Sequence, residues 1–138
     1  MPLTLLANID VDDLARAEAF YVRALGLDVG RRFGEDGVEL IGASSPIYLL
    51  RKAAGSAAGD ATTQTRDYRR HWTPVHLDFV VADLQAALAR ARDAGAILEG
   101  EVRTAAWGRI ATLGDPFGHG FCLIEFLNRG YDEIAQNR

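Results

Sequence analysis

At 138 residues, 49% of them hydrophobic and 25% charged, the chain has enough material for one sizeable core. A formal net charge of -4 argues against a phosphate-backbone partner, and no window approaches the roughly 20 consecutive apolar residues of a membrane span. The lone cysteine, Cys122, rules out an internal disulfide and a zinc ribbon, and the start MPLTLLANID has no basic stretch of the secretory kind, so the expected setting is cytoplasmic, without membrane or nucleic-acid partners.

In chain order, LLANIDVDDLARAEAFYVRAL changes its apolar period from two to about 3.6 at Asp12 and Asp13, which predicts a strand running into a helix. Either aspartate can cap that helix through its free N–H groups. Leu14, Ala17, Tyr21 and Leu25 form the expected buried stripe, and Gly26 supplies the left-handed terminator. Three strand-like runs follow, DVGRRF, GVELIGA and IYLLRK, parted by the turn sequences GEDG and ASSP. AAGSAAGDATTQT, about Ala53 to Thr65, is poor in large apolar residues and reads as a linker, and RDYRRH (Arg66 to His71) reads as a solvated loop end.

VHLDFVVADLQAA then repeats the pattern of LLANIDVDDLARA: seventy residues separate Asp13 from Asp83, Val11 from Val81, Leu14 from Leu84 and Ala17 from Ala87. The second helix should bury Leu84, Ala87, Leu88 and Ala91 and end at Gly95. AILEGEV, WGRIATL and GFCLIEF are the strands after it, the last two joined by DPFGHG, and the polar tail NRGYDEIAQNR closes with a last helical turn. The predicted class is therefore α+β: one domain over residues 1–138, with βαβββ modules at 3–52 and 74–127, a linker at 53–73 and a tail at 128–138.

Two such modules, entered through IDVDDLARAEAFY and closed by the DPFGHGF hairpin, resemble the vicinal oxygen chelate superfamily, which holds glyoxalase I, bleomycin-resistance proteins and extradiol dioxygenases. The resemblance covers nearly the whole chain. It implies curled mixed sheets around a concave cavity for a small organic molecule, commonly completed as a homodimer. It does not imply a reaction, since this architecture hosts isomerases, oxygenases, lyases and sequestering proteins.

In metal-dependent members the ligands stand on the first and last strands of each module. Carried onto this chain, the first-strand places fall on Leu6 and His76, and the last-strand places on Leu49, give or take one residue, and Cys122. Two leucines cannot coordinate an ion, so the expectation is no divalent-metal cofactor and no metal ligands. Glu39 and Glu125 are the carboxylates available to restore such a site, against a plainer reading of both as solvent-facing strand residues. The alternatives to a metal-free binder are a divergent metal-dependent lyase, isomerase or dioxygenase, or a metal-free isomerase using His76 and Asp78.

Strand parity sends Asn8, Asp10, His76 and Asp78 to the cavity face and Ala7, Ile9, Leu77 and Phe79 beneath the helices. The ligand-binding candidates are Asn8, Tyr48, His76, Asp78, Trp107, Arg109 and Cys122: polar groups able to hydrogen-bond a carbonyl, hydroxyl or amine, aromatics able to stack on a flat ligand, and an arginine able to hold a carboxylate. The plainer reading is that His76 and Asp78 satisfy each other, that Cys122 is a buried inert thiol, and that the aromatics are core. His119 reads as a turn residue, and no residue is assigned to catalysis.

Overall fold

The computed structural model describes residues 2–136, so the last two residues of the predicted tail lie outside it. The chain divides after Arg69 into two compact units, each carrying one predicted module.

In the first unit, β1 (Ala7–Val11) leads into α1 (Leu14–Leu25), followed by β2 (Asp28–Phe33), β3 (Gly37–Ile41) and β4 (Ile47–Arg51), in a mixed sheet of order β1-β4-β3-β2. In the second, β5 (Leu77–Val80) leads into α2 (Leu84–Ala94), followed by β6 (Ile97–Leu98), β7 (Arg103–Ala105), β8 (Gly108–Gly114) and β9 (Gly120–Phe126), in order β5-β9-β8-β6 with β7 also on β8. Each module thus lays its first strand parallel to its last and completes the sheet antiparallel. The α+β class and the tandem repeat are both present.

The helix boundaries follow from capping chemistry. Asp13 sits in extended conformation and accepts from the Arg16 N–H at 3.1 Å, and Asp83 does the same for Ala86 at 3.1 Å. Gly26 ends α1 in the left-handed region at φ 66°, where a side chain would be strained. The buried face of α1 is Ala17, Phe20, Tyr21 and Ala24, so Leu14 and Leu25 sit at its margins and the stripe is rotated from the predicted one to admit Phe20. In α2, Leu84, Ala87 and Ala91 are buried as expected, with Leu88 at the margin.

Each sheet has a helix-side face and a second face. The side of β9 that meets α2 is fixed by Glu125, whose Oε1 accepts from the Leu84 N–H at 2.8 Å. Phe121 and Leu123 share that face, where Phe79 meets Phe121 edge-on at 6.0 Å, and they pair with Leu113 and Ala111, both fully buried. Alternation therefore leaves Cys122, with Asp78 and Thr112, on the face away from the helix. The equivalent core in the first module is Val38, Leu40, Ile47 and Leu49, all 2% exposed or less.

One expectation changes. The run AILEGEV yields only the two-residue β6, because the edge breaks and resumes as β7, which the sequence did not announce. RDYRRH is exposed at Asp67, Arg69, Arg70 and His71 and is tied down by ion pairs: Arg66 Nε pairs with Asp10 at 2.7 Å, and Arg70 pairs with Glu99. The helical turn expected of the tail is present as a short 3-10 helix at Gly130–Glu133. No helix among the described residues is long and apolar enough to cross a membrane. Replacing Asp13 or Asp83 by alanine should cost about 1 kcal/mol of unfolding free energy each, measured by urea denaturation, because each leaves a helix N–H without its side-chain acceptor.

Candidate functional site

The parallel register of β5 and β9 sets Asp78 opposite Cys122, and the antiparallel register of β8 and β9 sets Thr112 opposite Cys122. His76, two residues before Asp78, falls on the same face, with its Nε2 3.2 Å from Asp78 Oδ1. The nearest ligating atoms of His76, Asp78 and Cys122 all lie within 4.8 Å of one another. The imidazole and carboxylate are 32% and 37% exposed, whereas Cys122 is 3% exposed, so the thiol forms the base of the cluster and the other two groups its rim.

The approach segment frames this cluster. Trp72 tilts against His76 with ring centroids 4.9 Å apart, and the Arg70 guanidinium lies 5.5 Å from the Trp72 ring centre. Arg70 is tied to Glu99, and the His71 N–H donates to the Gly118 carbonyl at 2.9 Å. The paired glycines Gly114 and Gly120 make this passage possible: a Cβ on Gly120 would overlap the Trp72 ring, and one on Gly114 would come within 2.8 Å of Arg70 Nε. Gly is required here for close approach rather than for its backbone conformation.

Burial pushes the Cys122 thiol above its ordinary pKa range. A hydrogen bond with Thr112, 3.7 Å away, opposes that shift, the Asp78 carboxylate reinforces it, and Arg103 opposes it. Arg103 belongs to this face because it pairs with Ile110, two residues from Thr112 on β8. The sequence reading missed Arg103, since its only signal was the unrecognised strand β7.

The corresponding face of the first module is polar but internally saturated. Tyr48 pairs with Asn8 on one side and Glu39 on the other, so Tyr48, not Leu49, is the counterpart of Cys122; Leu49 points to the core. Glu39 is 7% exposed, which corrects the solvent-facing reading. It accepts from the Arg31 backbone N–H at 3.0 Å, from Arg31 Nε at 3.1 Å and Nη2 at 2.6 Å, and from the Tyr48 hydroxyl at 2.9 Å. Gly30 lies beneath the carboxylate, where a Cβ would stand 2.6 Å from Oε1.

Hydrogen bonding to Arg31 and Tyr48 holds the Glu39 carboxyl down at about 2. Glu39 and Glu125 are therefore occupied, one by Arg31 and the other by the α2 N-terminus, and neither supplies a free metal ligand. Leu6, ahead of β1, is 49% exposed and offers no donor atom. The donor set that the family resemblance places on the first module does not fit an ion of the family kind.

The remaining candidates are dispersed. Asn8 is exposed beside Tyr48. Trp107 stands in the β7–β8 turn and packs on Tyr131 at 5.1 Å and Phe126 at 6.4 Å, in an aromatic group with the closing 3-10 helix. Arg109 pairs with Glu125 on the helix side, opposite the face of Cys122, so the register separates it from the cluster. His119 closes its turn with Asp115: the Asp115 N–H donates to the His119 carbonyl and the His119 N–H to Asp115 Oδ1, both at 2.8 Å.

The glyoxalase-like domain family model matches residues 7–124. The anthracycline biosynthesis protein DauV of Streptomyces sp. strain C5 is 32% identical over 90% of this chain, which spans only 41% of that protein's length. Among solved structures, TnmS3, an antibiotic binding protein from Streptomyces sp. CB03234, aligns with a TM-score of 0.64 at 23% identity over 92% of this chain and 98% of its own. A member of the glyoxalase/bleomycin resistance protein/dioxygenase superfamily from Sphaerobacter thermophilus aligns with a TM-score of 0.67 at 22% identity, over 91% and 98% of the two chains.

The Glu39 network carries its own pH signature. Its folded pKa lies below the ordinary value of 4.5, so its stabilising contribution is complete above that value and is lost as pH falls toward about 2. Glu39→Gln should melt below the native protein at pH 7, and the gap should close between about pH 4.5 and 2 in thermal unfolding followed by circular dichroism.

Proposed function

Because this chain belongs to the glyoxalase-like family of the vicinal oxygen chelate superfamily, we propose that it binds a small organic molecule on the module face bearing His76, Asp78 and Cys122, without the family's usual divalent metal. The observation that carries this reading is the concentration of unsaturated polar groups on one sheet face beside an exposed aromatic: Trp72 is 46% exposed, and His76 and Asp78 keep hydrogen-bonding capacity beyond their mutual contact. The first module's face, by contrast, spends its carboxylate on Arg31 and Tyr48.

A flat, oxygenated aromatic ligand suits these groups best. Its ring system stacks on Trp72, and a phenol or quinone oxygen faces His76 and Asp78. The names of two relatives point the same way, one from anthracycline biosynthesis and one an antibiotic binding protein. Asn8 and Tyr48, on the first module's saturated face, are not retained in this proposal, nor are Trp107 and Arg109. A cytoplasmic homodimer belongs to the same proposal. It rests on the family resemblance.

Titration of the chelator-treated chain with an anthracycline, followed by tryptophan fluorescence, should give saturable quenching in the micromolar range. His76→Ala and Asp78→Asn should each weaken binding by about tenfold, equivalent to about 1.4 kcal/mol. Quenching that never saturates, or affinity indifferent to both substitutions, contradicts the assignment of this face.

A further inference from the structure

We propose that Arg103 is a specificity-determining residue of the second module's face, selecting flat aromatic ligands that carry an acidic oxygen, a carboxylate or an ionised phenol, at the end remote from Asp78. The inference rests on the ligand reading above and names the chemical class within it. The pairing of four strands lays the relevant residues out in two rows. Arg103 pairs with Ile110, Ile110 with Ile124 and Ile124 with Val80, so an apolar row ends at its outer edge in a guanidinium. The adjoining row, two residues along each strand, is Thr112, Cys122 and Asp78.

Three strand spacings, about 14 Å in all, part the backbones of β7 and β5. That separation keeps an anion at Arg103 clear of the Asp78 carboxylate, and a rigid ring system is the kind of body that bridges it. The surface between them is apolar where it is open: Val80 is 59% exposed and Ile110 is partly so. Arg70, which also lies beside the cluster, is committed to Glu99, whereas Arg103 is exposed and has no hydrogen bond or ion pair among the described residues.

The charge of Arg103 nevertheless reaches the cluster. Behind burial and the Thr112 hydrogen bond, the Cys122 thiol is pushed up by the Asp78 carboxylate and drawn down by Arg103, so both charges act at the base of the face. A guanidinium presents parallel N–H donors that match the two oxygens of a carboxylate, and its flat, weakly hydrated surface tolerates an aromatic neighbour. A neutral carbonyl at the same place gains a hydrogen bond without the ionic contribution. Because the arginine stands in contact with water, the discrimination is a matter of a few-fold rather than orders of magnitude.

A matched pair of ligands tests this directly. The chelator-treated full chain is titrated with an anthraquinone carboxylate and with its neutral carboxamide, at about pH 7.5 where the carboxyl is ionised, and tryptophan fluorescence is recorded. The native chain should bind the acid about fivefold more tightly than the amide, and added salt should narrow that gap. Arg103→Gln should erase the preference by weakening the acid alone, with amide affinity and circular dichroism unchanged, while Arg103→Lys should keep part of it. Equal affinity for acid and amide in the native chain overturns the inference, as does a preference that survives Arg103→Gln; either result leaves aromatic-ligand binding standing. Failure of both compounds to bind saturably removes the ligand reading itself, and the role of Arg103 with it.

Discussion

Everything functional in this molecule depends on the parallel pairing of the first strand of each module with the last. A strand's side chains alternate, so one register decides which residues meet on the face away from the helix, and a slip of one residue would exchange that set for the core. Asp78 against Cys122 and Asn8 against Tyr48 are the two outcomes of that constraint. The helix caps are part of it: Asp83 and Glu125 both receive N–H groups from the first turn of α2, which joins β9 to the chain segment leaving β5.

The two modules use equivalent backbone positions for opposite ends. Glu39 and Thr112 are matched by their pairing with Tyr48 and Cys122. In the first module the bulge between Val29 and Arg32 turns Arg31 onto Glu39, and the result is a closed hydrogen-bonded group that fixes the sheet. In the second, β6 and β7 together replace β2, and the interruption brings Arg103 to the edge of the face rather than onto a buried carboxylate. One face is thereby neutralised from within, and the other keeps an imidazole, a carboxylate and a thiol with capacity to spare.

Local pattern disclosed much of the fold. The change of period at Asp13 and Asp83, the glycines after each helix and the runs DVGRRF and GFCLIEF all mark elements where they occur, because capping and alternation are properties of neighbouring residues. What escaped depends on pairing across distance. Tyr48 replaced Leu49 on the first module's face away from the helix because the offset between modules was uncertain by one residue, and one residue reverses a strand. Arg109 fell on the helix side for the same reason of parity, while β7 was too short to show any period. Nothing local placed Trp72 on Gly120 and His76.

On the proposed reading, the second module's face, rather than any other surface, meets the small-molecule partner. Chemical-shift mapping of the labelled chain with a saturating flat aromatic ligand tests it most directly. The largest changes should fall on His76, Asp78, Cys122 and the Trp72 indole. Changes confined to the Trp107, Phe126 and Tyr131 group, with those four signals still, would contradict it.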